Sequence, residues 1–318
     1  MKARRAFFGA AAFALVTVLG IMPSAAYAAA SAGGIYGVAV PNAVNSFYAT
    51  CIAGVEEGVK EVDPTAKVVV TDASGDSSKQ LDQIADLIQQ GCKALVLIPI
   101  DSNAISAAVK EANQAGVPVF VMDTPASSPD GIVSTIVADN YSAGEIAGRA
   151  LLEKLGGKGK IATITTTGSE AVNQRKQALY DLIKNEFPGV EIVMEEIVQN
   201  MTTEEALTIM ENICQSVPDI AGVFTTGDVF AIGICAALKA NGYEAGKVVV
   251  TSIDGTNNAL DLIKSGYLYA TAAQPAKNLG VFSAKNAFDY LNGKKIEPSI
   301  ALPCQKITAE TMEGYVGF

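Results

Sequence analysis

The sequence predicts an α/β protein of two similar lobes, each built on a parallel sheet with helices on both faces. Three observations lead there. Short β-branched runs alternate with longer stretches of helical period. The runs are almost continuously apolar, as strands covered on both faces must be. The alternation also occurs twice along 318 residues, a length sufficient for two separate cores.

Taken in order, the first series places strands at Ile35–Val40, Lys67–Thr71, Ala94–Ile98, Pro118–Met122 and Val133–Val137. The second places them at Lys160–Thr165, Glu191–Met194, Gly222–Thr225, Val248–Ile253 and Leu268–Ala272. Helices fill the intervals. In "SSKQLDQIADLIQQG" the residues Leu81, Ile84, Ala85 and Ile88 share one helical face, and Gly91 supplies the stop. Asp139-Asn140 can cap the helix that carries the chain into the second series. No long Pro/Gly/Ser-rich linker separates the two series, so a hinge is expected rather than a tether.

The N-terminus reads as an export signal. Lys2, Arg4 and Arg5 precede the uncharged stretch "AFFGAAAFALVTVLGIM"; Pro23 and a small-residue tail ending Ala26-Tyr27-Ala28 follow. Residues 1–28 are therefore expected to be removed on export, with the mature chain starting near Ala29. An uncleaved membrane anchor is the structural alternative. Losing three basic residues shifts the formal net charge from −10 to −13. Such an acidic exported chain is a poor nucleic-acid binder. The five cysteines, Cys51, Cys92, Cys214, Cys235 and Cys304, form no C-x-x-C pair and indicate neither structural zinc nor a redox motif. One or two disulfides, or mostly buried free thiols, are both open readings.

Histidine is absent, which removes the commonest general base and metal ligand. No G-x-S-x-G, P-loop or strand-following G-x-G-x-x-G is present, so neither a catalytic set nor a cofactor site is expected. In open parallel sheets ligands bind at the carboxyl ends of strands. There this chain carries Asp123, Asp254 and Gln274, while the first loop brings Asn45, Phe47 and Tyr48. Asp or Asn after a strand also caps helices and forms turns, so each alone says little. Arg175 says more. It is one of two arginines past the leader and lies in the first turns of a helix after a Gly-bearing loop. Its forked donors suit carboxylates, phosphates and vicinal hydroxyls, although a surface ion pair with Asp181 is the plainer alternative. Arg149 reads as an ordinary helix-surface residue. Acceptors, amides, one fork and aromatic faces together suit a small polyhydroxylated molecule.

The ordered segments "VNSFYAT", "GCKALVLIPIDSNAISAAVKEANQAGVPVFVMD", "VADNYSAGEIAGRAL", "GSEAVNQRKQAL", "FTTGDVFAIGICAAL" and "SIDGTNNALDLIKSGYLYATAAQ" resemble the periplasmic sugar-binding proteins of ABC transporters, of the ribose-binding type. The resemblance runs across essentially the whole mature chain. It implies the type I fold of that group: two Rossmann-like lobes joined by a three-segment hinge. Crossovers would fall near Ala138-Asp139, Gln274-Pro275 and Pro303-Cys304. The lobes would be 33–138 plus 275–303 and 139–274 plus 304–318. The resemblance also implies that Asn45, Phe47, Tyr48, Asp123, Arg175, Asp254 and Gln274 contact a sugar.

Three positions depart from the pattern. Thr124 stands where ribose binders carry arginine, Gly227 where they carry asparagine, and Met201, or Asn200 if the alignment slips by one, where the second lobe's stacking aromatic belongs. These three would line the site too, and they argue for a solute other than ribose. The implied partners are a small sugar or polyol and the ABC permease, with a chemoreceptor or sensor kinase as a further partner. The rivals are a sugar-responsive regulator's sensing core, which would carry a DNA-binding head where the leader stands, and a periplasmic hydrolase using Asp123 and Asp254.

Overall fold

The computed structural model describes residues 33–167 and 170–318. The proposed leader, and Gly168 and Ser169 of the stretch expected to be a Gly-bearing loop, lie outside the described residues.

The first series folds as β1 (Ile35–Val40), α1 (Ser46–Val62), β2 (Lys67–Asp72), α2 (Ser77–Gln89), β3 (Cys92–Leu97), α3 (Ile105–Gln114), β4 (Val119–Met122) and β5 (Ile132–Ala138). The second runs α4 (Asn140–Lys154), β6 (Lys158–Thr165), α5 (Glu170–Asn185), β7 (Gly189–Ile197), α6 (Thr203–Ser216), β8 (Gly222–Thr225), α7 (Asp228–Ala240), β9 (Val249–Asp254), α8 (Asn257–Lys264) and β10 (Ala270–Ala273). The chain closes with α9 (Ala276–Leu291), β11 (Ser299–Leu302) and β12 (Gln305–Ile307).

Two six-stranded sheets result, ordered β11-β5-β4-β3-β1-β2 and β12-β10-β9-β8-β6-β7. All described pairings are parallel except β12 with β10. Each sheet is apolar on both faces. Tyr36, Val38, Val96 and Phe120 meet α1 and α9 on one side of the first sheet, and Ala39, Leu95, Leu97 and Val121 meet α2 and α3 on the other. In the second sheet Ala162, Ile164 and Val250 face α6, α7 and α8, while Ile161, Phe224 and Ile253 face α4 and α5. This double burial is why the strands read as near-continuous apolar runs rather than alternating ones.

β11 and β12 escape a reading based on pattern. They are four and three residues long, sit at sheet edges and are largely exposed, so they show no apolar run. β10 begins at Ala270 rather than Leu268, because the N–H groups of Tyr267 and Leu268 close the turn after α8 by donating to Leu262. β6 begins at Lys158 rather than Lys160, so the "GGKGK" stretch of residues 156–160 is a turn only at Gly156 and Gly157.

In each sheet the first strand of its series lies between the second and third, so the strand order reverses beside β1 and beside β6. The carboxyl ends at such reversals leave a crevice where loops diverge to opposite faces. The chain passes from the first sheet to the second between β5 and α4, returns between β10 and α9, and passes again between β11 and β12. Asp139 N–H donates to Leu302 O at 2.9 Å, and Cys304 Sγ lies 3.8 Å from Asp139 O, so the first and third passages run side by side. All five cysteines are free thiols, four of them buried.

Candidate functional site

The loop after β1 is shaped by Asn45. Its Oδ1 accepts the Phe47 N–H at 2.9 Å and caps α1, which fixes where the two following rings stand. Asn45 is itself exposed, so its amide nitrogen is the part left for other contacts. The Phe47 and Tyr48 rings meet edge to face at 5.6 Å and 79°, and both back onto the first lobe's core. The Tyr48 hydroxyl points toward charge: burial pushes it well above its ordinary value, and Asp123 from the first lobe and Asp254 from the second add to the effect.

Asp123 follows β4 with φ of +66°, and Asp254 ends β9 with φ of +135°. A non-glycine residue in this region is held there against a cost of roughly 1–3 kcal/mol, and such strain concentrates at functional sites. The Asp123 N–H donates to Ile136 O at 2.9 Å, which holds the strand end, and its Oδ2 accepts the Thr124 hydroxyl at 3.0 Å. Both carboxylates keep some surface exposure yet are densely enclosed by protein atoms, as on the floor of a cleft. Burial raises Asp123 above the usual carboxylate range; the Thr124 hydrogen bond and the Arg175 charge oppose it.

Arg175 is buried, with 7% of its surface exposed. Its Nε donates to Asn140 Oδ1 and its Nη1 to Thr226 O, each at 2.9 Å. Asn140 is tied in turn to Ala138 O at 3.0 Å, so the guanidinium is braced between the first interlobe passage and the end of β8. α4 and α5 meet here without a side chain between them: a Cβ at Gly144 would run into the Arg175 backbone. Asp181 is not its partner, being bonded instead to Tyr141 and Gln177. Arg149, by contrast, is the surface residue expected, paired with Glu145 and Glu186.

Asp254 receives Gln274 Nε2 on Oδ1 at 2.7 Å and the Asp228 N–H on Oδ2 at 3.2 Å. Gln274 is 7% exposed, and its Oε1 has no hydrogen-bond partner among the described residues. A buried acceptor without a donor is costly, and a ligand hydroxyl would satisfy it. Gly227 borders the Asp254 carboxylate in an extended conformation. A Cβ there would stand 3.5 Å from Asp254 Oδ2 in ordinary contact, so glycine leaves free space that a side chain could occupy. Met201 stands apart. It is 60% exposed after β7 with φ of +55°, and no hydrogen bond or charge contact joins it to this group.

Asp228 was not legible as a site element. It opens α7, where a carboxylate reads as an ordinary helix-terminus residue. In the fold it is 1% exposed and accepts from the hydroxyls of Ser252, Thr271 and Thr256 and from the N–H groups of Gly255 and Thr256. It thereby holds the turn that presents Asp254. The signal in the sequence was polar Ser252 and Thr271 inside otherwise apolar strands.

Burial raises both of these neighbouring carboxyls, and at Asp228 the hydrogen bonds from Ser252, Thr256 and Thr271 oppose it. Asp254 is pushed up to about 7, by burial first and then by Asp228, with Arg175 and Gln274 opposing. The folded protein therefore holds this proton more tightly than the unfolded chain, and stability rises as pH falls from about 7 toward the ordinary carboxylate range near 4. The effect is at most about 4 kcal/mol. Carboxylates held low, such as Asp219 by Lys160 and Glu186 by Arg149, lose their contribution only at lower pH. The ligand-free melting temperature should climb between pH 8 and pH 5.5 in scanning calorimetry, and Asp254→Asn should flatten that slope. An equal slope in the variant would assign it elsewhere.

The assembled group is one braced fork, two enclosed carboxylates, a phenol, an unpartnered amide oxygen and aromatic edges, contributed from both sheets. Comparison with known proteins places the chain. A family profile described as a periplasmic binding protein domain matches residues 36–295. The ribose import binding protein RbsB of Bacillus subtilis is 36% identical over 269 residues, spanning 84% of this chain and 85% of the relative. The D-apiose import binding protein of Paraburkholderia graminis is 32% identical, spanning 82% of each. Among solved structures, an ABC transporter solute-binding protein of Bacillus halodurans with bound myo-inositol superposes with a TM-score of 0.81 at 26% identity, over 89% of this chain and 97% of that one. The two-sheet architecture, the strand-end carboxylates and these matches make this chain a member of the periplasmic binding protein family.

Proposed function

We propose that the chain is the solute-binding component of an ABC importer and takes a small sugar or polyol between its lobes. One observation carries this reading: Asp123 of the first lobe and Asp254 of the second both act on Tyr48 and both feel the Arg175 charge, Gln274 donates to Asp254 at 2.7 Å, and unused hydrogen-bonding capacity remains among them. Vicinal hydroxyls donate to a carboxylate and accept from a guanidinium, and a sugar ring's C–H face packs against Phe47 and Tyr48. Asn45 and Thr124 would complete the first wall, and Met201 would reach the solute only from the rim. Gly227 and Thr124 leave room and remove a charge beside the carboxylates, which favours a solute other than ribose.

The binding cycle is hinge closure. One lobe captures the solute, the other adds its contacts, and the permease recognises the closed form. Residues 1–28 would direct export to the periplasm. The names of the relatives, ribose and D-apiose import binding proteins, support import over presentation to a chemoreceptor or sensor kinase. They support binding over hydrolysis by Asp123 and Asp254 as well, and recovery of intact solute after incubation separates those two.

A thermal-shift screen of pentoses, hexoses, deoxysugars and polyols tests the reading. At least one should raise the melting temperature by several degrees, as mass action requires of a ligand at about 100 times its Kd. No stabilisation by any of them would count against a sugar or polyol receptor.

A further inference from the structure

We infer that residues 315–318 form an interlobe latch, in which the tail is anchored on the second lobe and the Phe318 ring docks on Phe47 of the first, biasing the ligand-free cleft toward closure. The anchor is specific. After β12 the Tyr315 hydroxyl donates to Gly255 O at 2.9 Å, and the Asn257 N–H donates to Phe318 O at 3.1 Å. Gly255 and Thr256 are the residues whose N–H groups Asp228 holds, directly after Asp254. The tail is thus fastened to the turn that presents the second lobe's carboxylate.

The other end crosses to the first lobe. The Phe318 ring lies 5.6 Å from Phe47 at 67°, in edge-to-face contact, and like Ala43, Phe47 and Tyr48 it is partly buried against the first lobe's core on the α1 side of the sheet. The segment runs as a strap, with Tyr315 and Phe318 turned inward and Val316 84% exposed. Gly317 is pressed against the anchor: a Cβ there would come within 2.7–2.9 Å of Asn257 N, Thr256 C and Asn257 Oδ1.

The three hinge passages permit rotation. An aromatic pair across the cleft mouth adds attraction that exists only when the lobes are near, so it acts on the open–closed balance rather than on either lobe's folding. Phe318 also buttresses the Phe47–Tyr48 pair, which makes it a positioning residue for the aromatic wall. The latch does not depend on which solute binds; its effect on affinity rests on the solute-receptor reading above.

The test uses the full chain without added solute, comparing wild type, Phe318→Ala, Phe318→Leu and Gly317→Ala by small-angle scattering and hydrogen–deuterium exchange. Phe318→Ala and Gly317→Ala should enlarge the radius of gyration and speed exchange about tenfold in both residues 43–50 and 312–318, leaving the β6 and β8 strands unchanged. Phe318→Leu should restore much of the protection. Unchanged scattering together with unchanged exchange at 43–50 in both variants overturns the latch, and slowed exchange there does so too. With a solute from the thermal screen, Phe318→Ala should raise the dissociation rate about tenfold with less effect on association. If no solute binds even the wild type, the receptor reading fails while scattering still decides the latch.

Discussion

Arg175→Ala is expected to weaken solute binding by at least about 100-fold, roughly 3 kcal/mol, the loss typical of a buried charge-assisted contact. Two effects combine. The variant removes the forked donor that the proposed site would turn to the solute, and it leaves Asp123 and Asp254 without the positive charge that offsets their burial. Both carboxyls should then hold protons to higher pH and become poorer acceptors for hydroxyls. Folding is affected less. Asn140 Oδ1 and Thr226 O lose their donors, at about 1–3 kcal/mol for each group left unpaired. Arg175→Lys should recover little affinity, because a single ammonium cannot bridge Asn140 and Thr226 and also present a free edge. Calorimetric titration with the screened solute, beside thermal unfolding of the ligand-free variants, separates the two effects. An unchanged Kd in Arg175→Ala would remove this residue from the site.

The largest expected loss of stability is at Asp228. Alanine there strands three hydroxyls and two backbone N–H groups that now converge on one carboxylate. Breaking such a buried network by deleting its charged centre costs on the order of 3–5 kcal/mol. For a chain of this size that lowers the melting temperature by roughly 10 °C. Asp228→Asn keeps the volume but turns an amide NH2 toward N–H donors, so it should fall between alanine and wild type. Because the same turn carries Asp254 and anchors the tail, residual solute affinity in Asp228→Asn should be reduced as well. A variant that melts within about 1 °C of wild type would show that the five donors find other acceptors.

Asp123, Asp254 and Gln274 stand at strand ends as the apolar runs foretell, where parallel sheets present ligand-facing groups, and Arg175 stands out instead as one of two arginines past the leader, on the helix after β6. Asn45 and Met201 show the limit of that reasoning. A loop asparagine before a helix is chemically able to cap or to bind, and in the fold its acceptor oxygen caps. Met201, placed by resemblance on the second wall, stands on an exposed loop beyond an edge strand. Position along a chain does not say how far a loop bends toward the cleft. The edge strands β11 and β12 were missed for a related reason: three or four residues with one solvated side carry no periodic signal.

The sequence by itself determined the double series of buried strands, the carboxylates at their ends, the arginine on the helix after β6, and the absence of histidine. These are local properties, set by composition and by period along the chain. Only the tertiary structure decided that Asn140 and Thr226 brace Arg175, that Asp228 holds the Asp254 turn, and that Phe318 reaches back to Phe47. Each of these joins residues between 26 and 271 positions apart in the chain. Such contacts follow from how strands and helices distant in the chain pack together, and no periodicity along one segment encodes them.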